Sequence, residues 1–83
     1  LLRDIFTRYN FGNVQAIIMG AGTSGVKTAR LLNKNRYLGI TPVAFLDDAV
    51  ELQGKIIEGL SVAGQLDKLQ KTAHQLKADY IIT

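Results

Sequence analysis

Gly20-Ala21-Gly22-Thr23-Ser24-Gly25 forms the pattern G-x-G-x-x-G. Glycine at these spacings has three separate uses. Gly20 permits a tight turn, Gly22 lets the backbone approach a pyrophosphate, and Gly25 lets a helix cross a strand closely. If a helix opens here, the N–H groups from about Thr23 to Val26 lack intrahelical partners and face any anion above the turn, together with the positive end of the helix dipole. Thr23 or Ser24 then adds a hydroxyl to that anion or caps the helix. Asp47 follows Gly25 by 22 residues, a spacing at which a carboxylate accepts both hydroxyls of an adenosine ribose. The same charge repels a 2′-phosphate, so the pair of features favours NAD, or another adenine nucleotide, over NADP. Asp48 takes that part if the register is shifted by one. The plain alternative is a compact strand-to-helix turn that binds nothing, and it stays open.

Other chemistries fail on residue counts. Gly20 to Thr28 approaches the phosphate loop G-x-x-x-x-G-K-[ST], but Val26 intrudes and places Lys27 one residue late. One residue is about 100° of helix rotation, which aims the amine away from a β-phosphate. The chain has no cysteine and one histidine, His74, so thiolate metal sites, histidine clusters and a Ser-His-Asp triad are excluded. His74 reads as a surface residue. No carboxylate pair or nucleophile–base pair can be assembled, so no catalytic residue is assigned and no metal is expected.

The elements around the motif follow from hydrophobic patterning. Val14 to Met19 is a short apolar run ended by Gly20 and reads as a buried strand. A helix carrying Val26, Ala29, Leu31 and Leu32 then runs to about Asn35. Gly39 and Pro42 punctuate the return, and Val43-Ala44-Phe45-Leu46 reads as a second buried strand ended by Asp47-Asp48. Ile56-Ile57 and Leu60-Ser61-Val62 suggest one or two short edge strands. Leu66, Leu69, Ala73 and Leu76 mark a helix over about 65–77, and Asp79 to Thr83 reads as another buried strand. Such alternation predicts an α/β fold, a parallel sheet with right-handed crossovers and helices on both faces, cut off after its last strand.

Before this unit, Leu1, Leu2, Ile5, Phe6 and Tyr9 line one side of a helical pattern. Residues 1–12 therefore read as an amphipathic helix and linker, and 13–83 as the domain. The stripe packs on the domain's core, or forms a dimer or juxtamembrane helix. The 83 residues are 47% hydrophobic and 20% charged, the composition of a globular domain rather than a disordered one. No run reaches the ~18–20 apolar residues of a membrane helix. The start at Leu1 reads as a cut from a longer protein. The net charge of +3 is unevenly placed. Lys27, Arg30, Lys34 and Arg36 have no acid between them, whereas Asp47, Asp48, Glu51 and Glu58 against Lys55 leave residues 47–58 at −3. Four cations without interleaved aromatics are too few for a nucleic-acid footprint.

The run from Ala16 to Gly25, the stretch Leu38-Gly39-Ile40-Thr41-Pro42-Val43-Ala44-Phe45-Leu46-Asp47-Asp48, Gly54-Lys55, Gly59 to Val62 and Asp79 to Ile82 together carry a resemblance. Over residues 14–83 the chain resembles the Rossmann-like "CoA-binding" domain of bacterial membrane enzymes of surface-polysaccharide synthesis. It looks closer to the polyprenyl-phosphate sugar-1-phosphate transferases than to the membrane-bound nucleotide-sugar dehydratases and epimerases. The resemblance implies a non-catalytic nucleotide-binding-type domain at the cytoplasmic face of the inner membrane. Its partner would be the rest of its parent enzyme, with a homodimer as a further expectation and nucleic acid excluded. Half of an NAD-dependent oxidoreductase and a ligand-free dimerisation module are the alternatives.

Overall fold

The computed structural model describes residues 14–83, so the helix expected over 1–9 and the division at residue 12 lie outside the described residues. The elements are β1 (Val14–Met19), α1 (Thr23–Lys34), β2 (Ile40–Leu46), β3 (Ile56–Ile57), β4 (Leu60–Gly64), α2 (Leu69–Leu76) and β5 (Tyr80–Ile82). They form one sheet in the order β3-β4-β2-β1-β5. β4, β2, β1 and β5 are parallel neighbours, and β3 folds back antiparallel on β4. Strand order runs one way from β1 to β2 to β4, then jumps back across the sheet to β5. Right-handed crossovers in these two directions set α1 and α2 on opposite faces.

β1 and β2 are the apolar centre. Ile17, Ala44, Phe45 and Leu46 have no accessible surface, and Ile18 and Val62 have almost none. A parallel strand covered on both faces needs such a continuous run rather than alternation. On the α1 face, Ile18, Phe45 and Val62 pack with Ala21 and Ala29. The β2–β4 connection has no α-helix. Leu52, Ile57 and Leu60 instead close that side of the core, held by the two-residue turn Glu58-Gly59, whose φ angles are both positive as the right-handed twist of a hairpin requires.

Three expectations need correction. β2 begins at Ile40 and runs through Pro42 instead of starting after it. The ladder to β1 is bulged there, Ala16 facing Pro42 while Ile17 faces Ala44, so the missing proline N–H falls at an irregularity the strand already has. The helix expected from residue 65 opens with a 3-10 turn at Leu66–Lys68. A 3-10 turn winds at three residues per turn, so Leu66 does not keep the 3.6-residue period of Leu69 and Ala73; it is 37% exposed, and the buried residue of α2 is Thr72. β5 is not a buried strand: among the described residues it has β1 as its one sheet neighbour, and Tyr80 and Ile81 remain 41% and 45% exposed.

Candidate nucleotide-binding site

The turn between β1 and α1 lies at the carboxyl end of the parallel strands. It sits where β2 and β5 leave β1 in opposite directions, the place where open α/β sheets leave a crevice for ligands. The three glycines of the motif turn out to answer to different demands. Gly20 has φ +103°, a conformation that side chains other than hydrogen strain, and its N–H donates to the Leu46 carbonyl at 2.6 Å. Gly25 is buried, and a Cβ there would drive into the Gly20 carbonyl. Gly22 is exposed, has φ −83°, and a Cβ there would meet nothing within 4 Å. The fold therefore accounts for Gly20 and Gly25 but places no demand on position 22.

Gly22 is the N-cap of α1, and its carbonyl accepts the first helical bond from the Val26 N–H at 2.9 Å. The N–H groups of Thr23, Ser24 and Gly25 precede that bond and have no intrahelical partner. No acidic residue stands in the first turn to neutralise the dipole. Neither Thr23 nor Ser24 caps the helix, and both are exposed. Their hydroxyls are thus not used to cap the helix.

Asp47 follows β2 directly and joins the same site. Its Oδ2 accepts the Ala21 N–H at 2.7 Å, and its Oδ1 accepts the Ala49 N–H at 2.9 Å. The Ala21 bond is the larger cause and the Ala49 bond the second in holding its carboxyl below the ordinary Asp value of 3.8, against a smaller opposing effect of burial. A carboxylate offers about four acceptor positions, so two remain for a ligand after the amides are served. Behind it the Asp47 N–H donates to the Gly64 carbonyl at 3.0 Å, and Gln53 Nε2 donates to the carbonyls of Asp47 and Ala49 at 2.6 and 3.0 Å. Asp48 points elsewhere: its Oδ1 accepts the Leu66 N–H at 2.9 Å and pins the start of the 3-10 turn. Of the two neighbours, Asp47 is the one bonded to the glycine turn, and Asp48 is bonded to the turn before α2.

The Ala21 contact joins residues 26 apart and had no signal in the sequence. The Ala49 bond did have one, since an aspartate commonly binds the amide two residues on. Nothing local singled out Gln53. A separate cavity of about 390 Å³ lies between β4 and α2, lined by Gln53, Gly64, Gln65, Lys68 and Thr72 among others. Its lining does not include the glycine turn. His74 is exposed on α2, and the described residues contain no group of three His, Cys, Asp or Glu able to hold a metal. No helix among them is long and apolar enough to cross a membrane.

These hydrogen bonds carry a pH dependence. The folded state holds the Asp47 proton more weakly than the unfolded chain does. The carboxylate's contribution is therefore complete above the ordinary value of 3.8 and is lost as pH falls through the lower folded value. Asp47→Asn leaves one amide facing an NH₂ group. It should cost about 1–2 kcal/mol near neutrality, since bonds to a charged but partly exposed acceptor are worth about that. In urea unfolding the variant should lose less stability than the parent chain on acidification below 3.8; parallel pH curves would remove Asp47 from this role.

Comparison with solved structures gives the same fold. UDP-D-quinovosamine 4-dehydrogenase from Vibrio fischeri superposes with a TM-score of 0.73 at 20% identity, over 83% of this chain and 54% of that one. RSP in complex with beta-NADH superposes with a TM-score of 0.75 at 20% identity, over 96% of this chain and 39% of that one. RSP solved as a Rex-family repressor gives 0.77, also at 20% identity, over 96% of this chain and 38% of that one. The fold is Rossmann-like. Among proteins compared by sequence, "Probable polysaccharide biosynthesis protein EpsC" of Bacillus subtilis (strain 168) is 32% identical over 82 residues, 99% of this chain. The chain spans 14% of that relative's length. No protein-family model matches.

Proposed function

We propose that this Rossmann-like unit is a dinucleotide-binding domain of the NAD type, within an enzyme of polysaccharide biosynthesis. The observation that carries it is Gly22, a bare N-cap with open space above it that the fold itself does not require. The unpaired amides of Thr23 to Gly25 would hold the pyrophosphate, and Asp47 the adenosine ribose. The relative named for polysaccharide biosynthesis supports the setting. The likeness to a UDP-sugar dehydrogenase and to a protein solved with NADH supports the ligand class. Bound NAD would supply hydride transfer at its nicotinamide. This chain's residues bind and orient its other half, and the groups acting on a sugar belong to the parent protein.

The parent on this reading is an enzyme acting on a nucleotide sugar, of the oxidoreductase, dehydratase or epimerase kind. A second reading, a sugar-1-phosphate transferase that keeps the domain as a non-catalytic shell at the membrane, is favoured by the stretch Leu38 to Asp48 and by Tyr80-Ile81-Ile82. Titration calorimetry of the 83-residue chain separates them. NAD should bind about tenfold or more tighter than NADP, because Asp47 repels a 2′-phosphate across a few ångströms of partly screened space. Absence of heat with NAD, NADP, CoA and UDP-sugars alike would favour the ligand-free shell.

A further inference from the structure

α1 buries Gly25, Ala29 and Leu32 on one side. Lys27, Arg30, Leu31 and Lys34 stand at i, i+3, i+4 and i+7 on the opposite side, and all four are exposed. Arg36 and Tyr37 follow in the 3-10 turn Arg36–Leu38, and both are exposed. Glu58 engages Arg30 at 2.9 Å; no ion pair among the described residues holds Lys27, Lys34 or Arg36. Two large apolar groups lie in this cationic field, Leu31 at 58% and Tyr37 at 78% exposure. Of the eight large apolar side chains exposed among the described residues, these two are the ones on α1 and the turn that follows it.

From this we infer that the outer face of α1 and the following turn form a docking surface for a bilayer rich in anionic headgroups. The charges complement lipid phosphates, Leu31 enters the boundary between headgroups and acyl chains, and Tyr37 suits the interface, with an apolar ring and a polar tip. Three cations on one face are a small footprint for nucleic acid, where phosphate contacts carry the affinity and apolar side chains add little. Lys34, Arg36 and Tyr37 sit at the end of α1 away from the glycine turn, while Lys27 lies one turn into the helix. The surface is independent of whether NAD binds.

The test is flotation of the 83-residue chain with vesicles of phosphatidylcholine alone or with about 30 mol% phosphatidylglycerol, where each lysine or arginine near the surface contributes about fivefold. Three should give roughly a hundredfold preference for the anionic vesicles, falling as salt shortens the Debye length. Lys34→Glu with Arg36→Glu should return binding to the level of neutral vesicles. Leu31→Ser with Tyr37→Ser should weaken it several-fold and leave it salt-sensitive. These four positions are exposed, and unchanged far-UV circular dichroism verifies that the variants fold. Equal binding to neutral vesicles, or anionic binding that survives the charge reversal, overturns the assignment, as the apolar stripe at Leu1, Leu2, Ile5 and Phe6 would then suffice. Tighter binding to duplex DNA than to anionic vesicles overturns it as well.

Discussion

Gly22→Asp should abolish NAD binding while the chain melts at, or slightly above, its original temperature. The two halves of that result have different causes. The backbone at 22 is extended, with φ −83° and ψ −160°, and a Cβ there meets nothing within 4 Å. An aspartate at the N-cap can accept the orphan N–H groups of the first turn and face the positive end of the dipole. It stabilises helices by a few tenths of a kcal/mol relative to glycine, about one degree or a few in a domain this small. The same carboxylate would occupy the space meant for the pyrophosphate and set a negative charge against it. At about 4 Å and an effective dielectric near 20 the repulsion is about 4 kcal/mol, roughly a thousandfold in Kd. Calorimetry and thermal melts on the same sample read both effects. Retained NAD affinity would remove the glycine turn as the phosphate site. A large drop in melting temperature would instead mean that position 22 is a folding constraint, which the open space around it contradicts.

How far the sequence could lead depends on the range of the interactions involved. Val14 to Met19 and Val43 to Leu46 were legible because a strand buried on both faces must be apolar throughout, which shows in a short window. The glycine turn was legible because its backbone demands are local. Pro42 and Ile81 misled for the opposite reason. Whether a proline interrupts a strand depends on the bulge opposite Ala16, and whether Ile81 is buried depends on β5 having one sheet neighbour. At Asp47 the position was legible from its spacing and the setting was not. Its grip on the Ala21 amide crosses two strands, and Asp47 differs from Asp48 only in which backbone N–H each meets. The exposed pair Leu31 and Tyr37 was hidden in the same way. Leu31 reads in the sequence simply as one of the apolar residues of the helix, and the helix rotation sets it on the exposed side with Lys27 and Lys34.

Gly25→Ala should cost about 3 kcal/mol or more, and here two effects of opposite sign compete. Alanine gains up to about 1 kcal/mol over glycine inside a helix and restricts the unfolded chain. Taken alone, that would raise the melting temperature. Against it, the new Cβ would press into the Gly20 carbonyl, with the carbonyl carbon at 2.9 Å. The carbonyl cannot retreat cheaply. Gly20 is already at φ +103°, and its N–H is held by the Leu46 carbonyl at 2.6 Å. Relief must come from α1 lifting off the sheet, which opens the contacts of Ala29 and Leu32, now 0% and 6% exposed. Overpacking against backbone costs about 1–3 kcal/mol before such loosening is counted. A domain of this size has about 4–12 kcal/mol in total. At about 4–8 °C per kcal/mol, the melting temperature should fall by about 12–24 °C. Gly22→Ala, made beside it, should shift by no more than a few degrees, since nothing stands within 4 Å of its Cβ. Equal shifts at the two positions would mean that helix propensity governs both. A large loss confined to position 25 would show that this glycine serves helix–strand packing, and that position 22 is free of that demand.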